Sequence, residues 1–230
     1  QFGDETFSRL PAGEPAAAMA LGGLLSYLYE TQKTDLSHIR ELDYYRQGRF
    51  MELDLASRRN LELTETLRGK EKKGSLLWVL DKTKTPMGAR MLRGWLERPL
   101  LSVTDIDRRS GAVAALVNDT IRREELIAGM TGLGDMERLI GRIVYGTAGG
   151  RDMVSLRAAI EKLPNLKEQL SAFSDRRLTE LTEAMDTLDD IGGDIAATVC
   201  DEPPFSVREG GIIRDGCNEE VDRLRHILKS

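Results

Sequence analysis

Apolar residues along this chain recur mostly at steps of three and four, the spacing of helices with one buried face. From Pro15, the positions Leu21, Leu24, Leu25 and Leu28 predict one amphipathic helix that fades near Thr31, followed by a polar boundary from Thr34 to Asp43. Met51, Leu53 and Leu55 alternate with Glu52 and Asp54 as a short strand would, and Ser57 to Leu67 holds too few apolar residues to decide. Ser75 to Leu80 is a compact apolar run. Thr85-Pro86 starts a helix, a capping hydroxyl followed by proline at the first helical position; Met87, Met91, Leu92, Trp95 and Leu96 then share a face until Pro99. Ser102 opens a helix carrying Ile106, Val113, Leu116 and Val117. Asp135 opens another with Met136, Leu139, Ile140, Ile143 and Val144, ended by Gly146. Asp152 begins the next, with Met153, Leu156, Ile160 and Leu163 ahead of Pro164. A longer run from Asp175 passes Leu178, Leu181, Met185, Leu188, Ile191, Ile195 and Val199, and Gly192-Gly193 is expected to bend or split it. After Pro203-Pro204, residues Phe205 to Ile213 read as a β-hairpin turning at Gly210-Gly211. Asn218 caps a last helix with Val221, Leu224 and Leu228 on one face, which reaches Ser230 without a stop signal and is expected to continue beyond it. The pattern therefore predicts a mostly α fold: a multi-helix bundle with a short β-hairpin near its C-terminal end.

Composition agrees and removes much chemistry. Only 5% of the 230 residues are aromatic, which disfavours an all-β sandwich. The two histidines, His38 and His226, lie far apart, and Cys200 and Cys217 form no C-x-x-C, so neither a metal site nor a disulfide framework is expected. The longest apolar stretch, Ala16 to Leu25, is half of a bilayer span and predicts no membrane partner. The net charge of −5 hides an uneven distribution: residues 44–100 carry 13 basic and 7 acidic side chains, and residues 171–230 carry 7 and 14. Arg68, Lys70, Lys72, Lys73, Lys82 and Lys84 concentrate the positive charge. They read either as a solvated surface or as a phosphate-facing patch, with Lys70, Lys72 and Lys73 as candidate weak phosphate contacts.

Candidate catalytic chemistry is sparse. Gly69 to Ser75 has two glycines five apart before a hydroxyl, but lacks the lysine that a phosphate-binding loop places after its second glycine. A flexible basic loop is the expectation there, with a degenerate nucleotide site as the weaker one. Asp189-Asp190 and Glu219-Glu220 are adjacent on helices and point about 100° apart, so neither pair converges on a substrate. The glycines of 129–134 follow no strand, unlike a dinucleotide fingerprint. No catalytic, cofactor-binding or metal-binding residues are therefore assigned. Arginines beside apolar helices, Arg58, Arg59, Arg90, Arg93, Arg138, Arg142 and Arg151, suit ion-pair networks, with Glu62, Asp81, Asp135 and Asp152 as candidate partners.

Longer blocks carry a family resemblance. Met51-Glu-Leu-Asp54, Ser57 to Gly69, Lys73 to Asp81 and Thr85 to Leu100 resemble the MutS family of bacterial DNA mismatch-repair proteins. Gly146-Thr-Ala148 with Arg151-Asp152, and Arg208 to Asp222, resemble it in the same order. Ser57 stands where threonine is expected, and Gly149-Gly150 where alanine or asparagine is more frequent. The resemblance implies that residues 1–42 are the tail of an α/β connector domain, with its last helix. Residues 43–230 would be the first part of a helical core, or lever, domain cut before a DNA clamp. It implies a non-catalytic segment linking ATPase state to that clamp, within a cytoplasmic, nucleoid-associated protein. ATP and magnesium would be held in the parent's ATPase domain and none in this stretch. The implied partners are DNA through other domains, a second copy in a homodimer, and a MutL-type repair protein through the connector. Arg58, Arg59, Asn60, Glu62, Asp81, Arg90, Trp95, Arg138, Arg151 and Asp152 would belong to a rigid hub, and Gly146, Gly192 and Gly193 would be joints. The competing expectation is a free-standing helical adaptor with a basic docking segment.

Overall fold

The computed structural model describes residues 15–32, 39, 48 and 50–229; the boundary at Thr34–Asp43 and His38 lie outside the described residues, Ile39 apart. The chain divides into two compact units, residues 1–49 and 50–230. In the first, helix α1 (Pro15–Gln32) runs where the leucine spacing places it. Ala17, Leu21, Leu25 and Leu28 are its half-covered positions, one stripe along one side.

The second unit begins with Phe50 bridged antiparallel to Leu100, and Met51 N–H donates to the Pro99 carbonyl at 2.8 Å. The strand expected at 51–55 is absent: Asp54 accepts from Ser57 N–H and starts α2 (Leu55–Asn60) instead. The alternation lost because Asp54 is a strong helix cap and, among the described residues, no neighbouring strand lies alongside to hydrogen-bond a ladder. The apolar run after Ser75 is a helix too, α3 (Leu76–Leu80), followed by α4 (Pro86–Glu97). Thr85 caps α4 through its hydroxyl, as its sequence predicts.

Helices α5 (Val103–Asn118) and α6 (Thr120–Met130) are separated by Asp119, which caps α6. Then come α7 (Met136–Val144), α8 (Gly150–Ile160), α9 (Leu163–Ser171) and α10 (Arg176–Ala184). Pro164 does not close a helix; it occupies the first turn of α9, where its missing N–H has no partner to lose. The core lies among these helices. Ala112 of α5, Phe173 between α9 and α10, and Leu178 of α10 form one buried cluster, flanked by Ala115, Leu116 and Leu170. Leu126, Leu156, Ala159, Ile160, Leu163 and Leu166 are buried beside it. The face expected for α5 is displaced. Ile106, Val113 and Val117 are exposed, and the small residues Ala112 and Ala115 turn inward, which lets α5 approach α10 closely.

Helix α11 (Asp189–Thr198) runs unbroken through Gly192 and Gly193. The long run divides at 185–188, where Leu188 takes a left-handed φ of 55°. Gly192 is buried against α8, and a Cβ there would come 3.0 Å from Ile160 Cγ2. Its lack of a side chain serves close helix packing.

The predicted hairpin at 205–213 is likewise absent. Ser206 and Glu209 form a capping box around a 3-10 turn, Val207–Glu209. Among the described residues, the extended pairing of this region is non-local: Val199 bridges Ile213, Cys200 N–H donates to Ile212 and Arg214 N–H to Thr198. A reciprocal side-chain cap outcompeted the glycine turn, although Gly210 and Gly211 do take φ of 72° and 75°. Asn218 then accepts from Val221 N–H and opens α12 (Glu219–Lys229). No described helix is long and apolar enough to cross a membrane.

Candidate functional site

The segment richest in family motifs, residues 53–100, is held by hydrogen bonds more than by burial. Arg58 Nε donates to the Leu53 carbonyl at 2.9 Å, tying α2 to the residues before it. Glu62 sits at φ 47° and turns its carboxylate onto Leu67 N–H at 2.6 Å, so it engages backbone, not an arginine. Thr66 and Glu71 exchange hydrogen bonds across the next turn, and Leu76 and Leu77 N–H donate to the Glu62 and Leu63 carbonyls. The loop expected to be flexible is thus braced at its base and its middle. Ser75, fully buried, donates to the Lys72 carbonyl and accepts from Trp78 N–H. That hydroxyl is already occupied, and among the described residues no acidic, histidine or cysteine cluster suits a metal.

Charge organises the rest of the hub. Lys72 pairs with Asp81, which also accepts from Thr83, and the lysine beside it holds the Asp81 carboxyl down at about 2. Arg90 of α4 forks onto Asp135, the cap of α7, at 2.7 and 2.8 Å, and its Nε reaches Glu137 at 2.9 Å. This fork lowers Asp135 to about 2 and raises the Arg90 pKa further. Asp152 accepts from Gly149 N–H at the start of α8 and pairs with Arg142 of α7 at 3.0 Å. So α7 is bound at its first turn to α4 and near its last turn to α8. Arg151 donates to the Pro203 carbonyl and lies over the Phe205 ring.

Of the other predicted residues, Arg59, Asn60 and Arg138 are exposed on α2 and α7; Trp95 is 43% exposed and carries the Arg109 guanidinium 3.8 Å from its ring centre. Gly146 ends α7 at φ 68°, and Lys70 and Lys73 are exposed. The structure brings Arg90 to Asp135 and Asp152 to Arg142, but pairs Asp81 with a lysine. Several anchors escaped the sequence reading: Glu137, Arg157, Asp201, Arg214 and Arg225. Arg157 of α8 and Arg214 both bind Asp201, at 2.9 and 3.0 Å, and Arg225 of α12 donates to the Ile213 carbonyl and to Asp215. Their partners lie across turns or other helices, and only the Asp215–Asp222 charges near Arg225 offered a local signal.

These tethers frame a cleft of about 710 Å³, lined by Gly149, Gly150, Met153, Val199, Ile212 and Val221 among others. Gly150 is needed beside it, because a Cβ would lie 2.7 Å from Pro203 Cβ and 2.9 Å from Ile212 Cγ2. The arrangement ties helices to one another through ion pairs and backbone hydrogen bonds.

The chain is similar to known proteins over most of its length. The family model described as MutS domain III matches residues 56–230. A protein named DNA mismatch repair protein MutS from Desulforamulus reducens is 45% identical over 229 residues, covering 100% of this chain and 26% of that relative. Its namesakes from Alkaliphilus oremlandii and Lachnoclostridium phytofermentans are 48% and 47% identical, covering 89% and 90% of this chain and 23% and 22% of their own lengths. The chain spans about a quarter of the length of these curated relatives.

Proposed function

This chain belongs to the MutS family of DNA mismatch-repair proteins, as a segment of its core domain, and we propose that it acts as a lever: a packed helical body that carries the state of an ATPase domain elsewhere in a longer protein to the part that grips DNA. In this reading residues 1–42 are the connector tail, where a MutL-type partner would engage, and the longer protein works as a homodimer on DNA, with ATP and magnesium held outside this chain.

The observation that carries the reading is how α12 is attached. It follows a segment, 199–216, that is fixed to α8 by the Arg157–Asp201–Arg214 set, by Arg151 and by the close approach of Gly150. Movement of the α8–α11 layer would therefore be passed to α12 as a rigid displacement, because packed cores switch between arrangements and do not stretch. The cleft beside α12 leaves room for that displacement. The joints are then Gly146, at the positive-φ end of α7, and the left-handed Leu188; Gly192 acts through close packing, whereas a Cβ at Gly193 would meet no neighbour.

Asp201→Asn together with Arg225→Ala, in the longer protein, is expected to slow ATP-driven release from mismatched DNA while leaving ATP and DNA affinity nearly intact. Unchanged release kinetics with both tethers removed would refute the lever and leave the helical adaptor as the better reading.

A further inference from the structure

Many arginines from Arg90 to Arg225 are drawn into ion pairs, with Asp135, Glu97, Glu180, Asp119, Asp152, Asp201 and Asp215, although Arg98, Arg138 and Arg208 are exposed and form none among the described residues. Residues 66–84 differ in gathering such cations within one short stretch. Lys72 alone is paired, and no carboxylate among the described residues bonds Arg68, Lys70, Lys73, Lys82 or Lys84, all exposed. Two nearby carboxylates are engaged elsewhere: Glu62 on the backbone of Leu67, and Asp81 on Lys72 and Thr83. Glu65 and Glu71 are the acidic side chains left exposed nearby.

The loop bearing Arg68, Lys70 and Lys73 is also braced, and Lys82 and Lys84 follow it just beyond α3. Thr66 and Glu71 lock its middle, Lys70 N–H donates to the Thr66 carbonyl, and buried Ser75 fixes its end. A cationic surface carried on a braced backbone loses little entropy on meeting an extended polyanion, and each phosphate it neutralises releases counterions.

We propose that residues 66–84 form a docking surface for the sugar–phosphate backbone of DNA, contacted by Arg68, Lys70, Lys73, Lys82 and Lys84. Contact of this kind is independent of sequence and of mismatches. It rests on the mismatch-repair reading only for the choice of DNA as the polyanion, and it is independent of lever motion. Leu76, Trp78, Val79 and Leu80, exposed on α3 between the two basic stretches, make an acidic protein segment the rival partner.

The test is fluorescence anisotropy of the 230-residue chain with a fully paired and a mismatched duplex across a salt series, with circular dichroism on every variant. The chain is expected to bind both duplexes equally and weakly. Lys70→Glu with Lys73→Glu, and separately Lys82→Glu with Lys84→Glu, are expected to lower affinity about ten-fold and to reduce the log–log salt slope by about two. Arg176→Glu with Arg223→Glu makes the same change in net charge on α10 and α12 and is expected to do much less. The proposal is overturned if the chain binds no duplex at low salt, if this control matches the loop variants, or if the loop variants lose binding to polyglutamate while keeping DNA. Failure here leaves the lever standing, since that is read by release kinetics.

Discussion

The helices α5, α6 and α8–α10 and the stretch from Phe50 to Leu100 are stabilised in different ways. The first region buries Phe173, Leu178, Leu156 and Ile160 in a common interior. The second buries little beyond Leu63, Leu77 and Ser75, and exposes Leu76, Trp78, Val79, Leu80, Met91 and Trp95. Its shape comes from caps, reciprocal backbone bonds and the Arg90 fork. Yet the second region carries the longest family-specific motifs. Resemblance and burial therefore fall in different places here: the body is held by packed apolar volume, whereas the stretch from Phe50 to Leu100 is held by bonding geometry. A part with so much uncovered apolar surface is suited to completion by the rest of a longer protein, in keeping with a chain that spans about a quarter of its relatives.

Substitution at one buried and one exposed aromatic tests that contrast most strongly. Phe173→Ala is expected to lower the stability of the chain by about 3–5 kcal/mol in urea unfolding. Trp78→Ala, at 47% exposure, should cost roughly 1 kcal/mol or less. Equal losses would mean that the hub has a hidden core of its own.

A smaller effect separates the regions by acid. Asp81 and Asp135 titrate at about 2, below their ordinary value of 3.8, because Lys72 and Arg90 favour the charged forms. A carboxylate depressed in the folded state adds stability that is fully present above about pH 4 and lost as the pH falls through about 2. The α4–α7 connection should therefore persist through pH 4 and open between about pH 4 and 2, with the body's interior changing less. Asp135→Asn should abolish most of that acid dependence in an Arg90 side-chain NMR titration; an unaltered titration would remove the fork from the account.

Much of this architecture was legible in the sequence where the signal is local. Thr85, Ser102, Asp135, Asp175 and Asn218 cap the helices they precede, because a cap needs only its own next turn. The failures involve competition or distance. Pro164 reads equally as a stop or a first turn, the Ser206–Glu209 box overrode the glycine pair, and the pairing of Val199 with Ile213 spans a loop that no periodicity marks. Of the candidate site, the arginine networks were readable as a class of interaction. Arg90 and Asp135 lie 45 residues apart, and only tertiary packing joins them. Asp201 stood among Pro203-Pro204 and other acids with nothing to distinguish it until Arg157 and Arg214 converged on it.

The central claim, that the body is self-sufficient and the hub is completed by other parts of a longer protein, is tested most directly by amide hydrogen exchange on this chain alone and within that protein. The account predicts equal protection of α5 and α8–α10 in both, and a marked gain in protection for α3 and α4 only in the longer protein. Equal protection of α3 and α4 in the two forms would contradict it.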